Sequence, residues 1–145
     1  MAIFSKVDYE TLAAFRYALR QFLHFSEEAA EKIGLTPQQH QALLAIKGYP
    51  GRDYVTIGEL AERLQIRHHS AVGLVDRLEA QNLVARQEAE GDRRQVHVMV
   101  APNGLALLEQ LSAVHRAELQ RLAPHINQLL IELGPPEESE APDGP

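Results

Sequence analysis

No cysteine occurs among the 145 residues. A disulfide framework, a thiolate metal site and a thiol redox switch are therefore excluded. No run of about 18 apolar residues is present, which removes a membrane-spanning helix. The opening "MAIFSKVDYE" carries no cleavable signal pattern, and the expected location is cytoplasmic, with no membrane partner. There is no glycine-rich phosphate loop, no H-x-x-x-H pair on one helix, and no nucleophile-elbow pattern around Ser70. Seven histidines are scattered without triad spacing. An enzyme is not expected, and neither is a cofactor.

Basic charge is also in short supply, at a formal net charge of −6. The deficit is uneven. The segment "GPPEESEAPDGP" holds Glu137, Glu138, Glu140 and Asp143 and no cation. Being proline-rich, acidic and nearly free of apolar residues, 135–145 is expected to be a disordered, solvated tail. Between Arg52 and Ala101 seven arginines face eight acids. Any binding of a polyanion by this segment depends on where the arginines point rather than on their sum.

What the chain does have is helical periodicity. Asp8 to Ile33 contains neither proline nor glycine, and Leu12, Phe15, Leu19, Phe22, Leu23, Ala30 and Ile33 recur at helical spacing, with Asp8 as the expected cap and Gly34 as the stop. Thr36-Pro37-x-Gln39 and Thr56-x-x-Glu59 are capping boxes that open two shorter helices. Gly48 ends the first of these, and "YPGRDY" reads as a loop. Ala71, Leu74, Val75 and Leu78 mark a further helix that closes at Asn82. The period then changes to two. "LVARQEA" and "QVHVMVA" read as a hairpin around "EGDRR", with Val96, Val98 and Val100 on one face. "PNG" opens another long helical run, which Pro124 is expected to break near Ala123 so that Ile126 to Leu133 form a separate short helix.

Two short helices joined by a tight turn and followed by a hairpin are the elements of a winged helix-turn-helix. If Ala71, Leu74, Val75 and Leu78 face the core, His69, Ser70, Gly73, Asp76 and Arg77 face outward. Arg67, His68, His69 and Ser70 then crowd the positive end of the helix dipole, where DNA phosphates and base edges are read. Arg77 is placed for a phosphate. Gly73 weakens the helix by about 1 kcal/mol; it lets the helix approach DNA closely, is simply tolerated in a well-packed helix, or packs against the preceding helix. The hairpin tip carries Asp92, Arg93 and Arg94. Arginine suits a narrow minor groove, and a neighbouring aspartate can orient it. Taken alone the tip is an exposed charged turn.

The run "IGELAERLQI", "SAVGLVDRLEAQNLVAR", "GDRRQVHVMVAPNG" and "LALLEQL", in that order and spacing, resembles the multiple-antibiotic-resistance regulator (MarR) family of transcription factors. The long helices on either side match as well. The resemblance implies a mainly α fold with a small β-hairpin wing. It implies a homodimeric, triangular molecule on a pseudo-palindromic operator, usually a repressor, released by a small and often aromatic anion. It places the family's Asp-x-Arg wing motif on Asp92, Arg93 and Arg94, and the recognition helix on His68 to Gln81. Val72 and Gly73 stand where many relatives carry threonine and arginine, so the base-reading pattern differs. The division expected is a winged-helix domain over 1–134, with a DNA-binding lobe at 34–101 and dimerisation helices at 8–33 and 102–133. The expected partners are double-stranded DNA, a second copy and a small-molecule effector, whose binding residues the sequence does not reveal. Two alternatives stay open. One is a metal-responsive regulator of the same fold using His24, His40 and His115. The other is a winged helix that binds only protein.

Overall fold

The computed structural model describes residues 3–89 and 91–137, with the backbone alone at 92–94. Among them are α1 (Lys6–Lys32), α2 (Pro37–Lys47), β1 (Tyr54–Val55), α3 (Ile57–Leu64), α4 (His68–Ala80), β2 (Val84–Ala89), β3 (Asp92–Val100) and α5 (Pro102–Glu132). The fold is mostly helical with a small antiparallel sheet of order β1-β3-β2.

Local chemistry sets most element ends. Thr36 and Thr56 each accept from the backbone three residues on, and Gln39 and Glu59 answer with their own side chains. Gly34, Gln65 and Asn82 take left-handed backbone at φ 84°, 54° and 58°. At each of these the chain turns back on the helix before it, as in Leu35 N–H to Ala30 O, Ile66 N–H to Ala61 O and Leu83 N–H to Leu78 O. Asp8 is not the cap of α1. Ser5 caps it, exchanging bonds of 2.8 and 3.2 Å with Asp8, which stands inside the first turn as the reciprocal acid. Pro124 does not divide the last helix. Its position is exposed, its ring sits within α5, and the helix runs on to Glu132. The loop expected at "YPGRDY" also hides a strand, since Tyr54 and Val55 pair with Met99 and Val98.

The chain forms two compact units. Phe25–His115 is one of them. Its core joins Ala30, Leu35, Leu43, Ile46, Val55, Leu60, Leu74, Val75, Leu78, Val98, Leu108 and Leu111. Gly104 seats the start of α5 in this unit. A Cβ there would stand 2.1 Å from the Leu83 carbonyl oxygen, which also accepts from the Ala101 amide at 2.9 Å. Only glycine permits that approach.

The other unit is formed by the described residues up to His24 and from Arg116 onward. Ala18 and Leu129 are buried within it, and the Thr11 hydroxyl lies 3.4 Å from Glu132. A groove of about 400 Å3 runs between its helices, lined by Phe15, Leu19, Phe22, Leu119, Leu122 and Ile126 among others. The tail expected to be disordered lies outside the described residues from Glu138 onward.

Candidate nucleic-acid interface

α4 packs as its spacing requires. Ala71, Leu74, Val75 and Leu78 are buried. His68, His69, Ser70, Asp76 and Arg77 are exposed, and Arg67 at the N-cap is exposed too. Arg67 supplies no side-chain cap, in contrast to the filled caps of α2 and α3. The first amides of α4 therefore stay open to an outside acceptor at the positive end of the helix dipole. Gly73 is half-buried, and a Cβ built there meets only the Arg77 guanidinium, at 3.4 Å. Nothing of α3 lies that near, so packing against the preceding helix does not account for this glycine. Arg77 instead folds back over the gap toward the helix start.

The acids near this face are engaged elsewhere. Arg86 pairs with Val98 across the sheet, on the face turned to α4. It meets Asp76 at 2.5 Å and Glu79 at 3.1 Å. Burial pulls the Arg86 pKa down, but bonds and charge from the two carboxylates outweigh it and hold the guanidinium above its ordinary value. Glu59 pairs with Arg52, and Asp53 with Lys47. Among the described residues Arg67 and Arg77 have no carboxylate partner. A local charge count near zero thus leaves cations on the outward side of α4. Sequence reasoning missed the part played by Arg86. The available signal was strand alternation, since Val84 is buried and Arg86 is two residues on.

The wing follows from β2 and β3, with pairs from Val84↔Val100 to Glu88↔Val96. Register then jumps to Ala89↔Asp92, so 93–95 are extra residues on one strand. β3 begins at Asp92, inside the loop expected at "EGDRR" and three residues before the strand start expected at Gln95. The side chains of Asp92, Arg93 and Arg94 lie outside those described, and Glu90 lies outside altogether. An open notch of about 350 Å3, lined by Thr56, Ile57, Gly58, His68, Gln95 and Val96, lies between the wing and the starts of α3 and α4.

Deeper in the same unit, His40 and His115 approach with ring centroids 4.8 Å apart. His115 Nδ1 donates to the Leu111 carbonyl at 2.6 Å, and Nε2 lies 2.7 Å from the Ser26 hydroxyl. His40 is buried, and its Nδ1 finds no partner among the described residues. Burial first, and the His115 imidazole second, lower its pKa to about 4. No group of three His, Asp or Glu that could hold a metal occurs among the described residues. Beside this pair a cleft of about 280 Å3 is lined by Phe25, Glu28, Lys32, Ile33, Leu111 and Val114, among others.

Comparison with known proteins agrees with this architecture. The MarR family model matches residues 33–95. The chain is 31% identical over 94 residues to the HTH-type transcriptional repressor MdtR of Bacillus subtilis, an alignment spanning 65% of this chain and 59% of that relative. A MarR family protein from Bacillus stearothermophilus superposes with a TM-score of 0.72 at 22% identity, over 90% of this chain and 89% of that one. A Staphylococcus aureus MepR variant bound to an oligodeoxyribonucleotide superposes at 0.65 and 19% identity, over 83% and 91%. The segment 33–95 is thus similar to the MarR family, and the winged helix with its helical flanks shares the fold of solved MarR family structures.

Proposed function

We propose that the chain is a homodimeric, sequence-specific DNA-binding repressor, released from a pseudo-palindromic operator by a small effector. The reading rests chiefly on α4: an exposed Arg67, His68, His69, Ser70 and Arg77, an uncapped positive end, and acids drawn away by Arg86. Ser70 and the histidines offer donors to base edges, and the open amides suit phosphate. Gly73 lets the helix and its Arg77 come close to the groove. The wing residues Asp92, Arg93 and Arg94 are proposed for the flanking minor groove. Similarity to a protein named as a repressor, and to one bound to an oligodeoxyribonucleotide, supports the same reading. It assigns the chain no catalytic step.

The lobe proposed for DNA is 34–101, and the helices proposed for self-association are 8–33 and 102–133. Exposed Tyr17, Leu23, Leu119 and Leu130, with the apolar groove beside Phe15 and Leu122, support a second copy as their cover. The cleft beside His115 suits a small ring with one polar group, since Phe25, Ile33 and Leu111 supply apolar walls and Lys32 a cation. A ligand preferring one arrangement of the dimer would shift the population away from DNA.

Selection of bound duplexes from a random pool in dilute salt tests the proposal. A two-fold symmetric site with half-sites about 10 base pairs apart is expected. A pool that stays random, or yields one asymmetric site, overturns it.

A further inference from the structure

The sheet has two faces, and the one turned from the core carries a linked set of rings and cations. Tyr54 pairs with Met99, which places Tyr54 and His97 on one face. Their rings stack at 3.9 Å between centroids and 17° between planes. The Arg52 guanidinium carbon lies 4.7 Å from the Tyr54 ring centroid and 4.5 Å from that of Tyr49. Arg63 of α3 lies 4.9 Å from Tyr49. Arg52 also pairs with Glu59, the residue that completes the cap of α3. Contact thus runs from the middle of β3 to the first helix of the helix-turn-helix.

Its place in the sheet gives the set a consequence. β1 reaches only Met99 and Val98, so three strands become two at His97. Beyond it the wing is a bare ribbon. Two strands alone are marginal in water and twist strongly. Whatever fixes the ribbon's direction must act where it leaves the third strand. Arg94 is three residues further, a reach of roughly 10 Å.

We propose that His97, stacked on Tyr54 and linked through Arg52 to α3, is a positioning residue that sets the angle of the wing and so where Arg94 meets DNA. The inference rests on the wing contact proposed above. Without the stack, the ribbon has to be ordered during binding, at a cost in affinity.

A double-mutant cycle tests it, using a labelled A·T-rich duplex of about 30 base pairs, long enough for two half-sites. His97→Ala is expected to raise Kd about 3–10-fold, the size of one aromatic pair. It should add less than about twofold once Arg94 is alanine, because both then act through one contact. His97→Phe, which keeps a stacking ring, should restore binding. Tyr54→Leu should repeat the His97→Ala pattern, and it carries the cycle if His97→Ala fails to fold. Equal losses in both Arg94 backgrounds, or an unchanged Kd for both stack variants, overturn the inference. Arg94→Ala binding as tightly as the parent overturns the wing reading itself, and does so before any stack variant is compared.

Discussion

His40 has 2% of its surface exposed, and one ring nitrogen is without a hydrogen bond among the described residues. An imidazole so placed stays neutral, since charging it would cost desolvation beside a second imidazole. Its pKa falls from 6.5 to about 4 on folding. The unfolded chain therefore takes up a proton before the native one does. The stability conferred by the neutral ring is whole above about pH 6.5 and declines as pH falls toward 4. Urea unfolding followed across that range is expected to show the decline. His40→Gln should flatten the slope by up to one proton. An identical slope in the variant would mean that other groups govern the acid side. Nothing in the one-dimensional pattern distinguished His40 from His24 or His115, because burial beside a second ring is decided by the packing of three helices.

At the scale of elements, α5 holds a proline that a helix of its length rarely tolerates. Pro124 has no amide to donate, and its ring crowds the carbonyl one turn earlier. α5 nevertheless continues, with Leu129 buried beyond the proline. Pro124→Ala should stabilise the fold by roughly 1–3 kcal/mol, read as a higher thermal midpoint. A lower midpoint would mean that a local bend at this point is required by packing. The same helix shows where reading the chain falls short. The periodicity of Leu105, Leu108 and Leu111 was legible, and so were the caps at Thr36 and Thr56 and the left-handed stop at Asn82, since each rests on neighbours within four residues. The rule that proline ends a helix is local as well, but tertiary contacts can override it. β1 was illegible for the opposite reason. Two residues carry no period, and their pairing with Val98 and Met99 spans more than forty positions. The outward side of α4 could be read from four apolar residues. The tie of Asp76 and Glu79 to Arg86 could not, because it joins a helix to a strand.

At the scale of the whole molecule, the question is what covers its apolar surface. Tyr17 is 64% exposed and Ile131 70% exposed, with Leu119 and Leu130 near half, all in the unit that holds the apolar groove. So much uncovered apolar area is unusual for a monomer. Sedimentation should give twice the mass of one chain. Leu119→Arg combined with Leu130→Arg should weaken the proposed dimer at least tenfold, about 1.4 kcal/mol, while circular dichroism stays helical. The proposed two-fold operator would then be bound without the advantage of two linked copies. A variant that still sediments as a dimer would move the interface away from these side chains.

The seat of Gly104 on Leu83 bears on how any signal could travel. The carbonyl it touches belongs to the residue that ends the turn after α4 and opens the way into β2, and Ala101 binds that same oxygen. Backbone there rests on backbone, with no side chain between them to absorb a displacement by changing rotamer. The contact works as a fulcrum without play: if the first turn of α5 tilts, the root of the wing tilts with it.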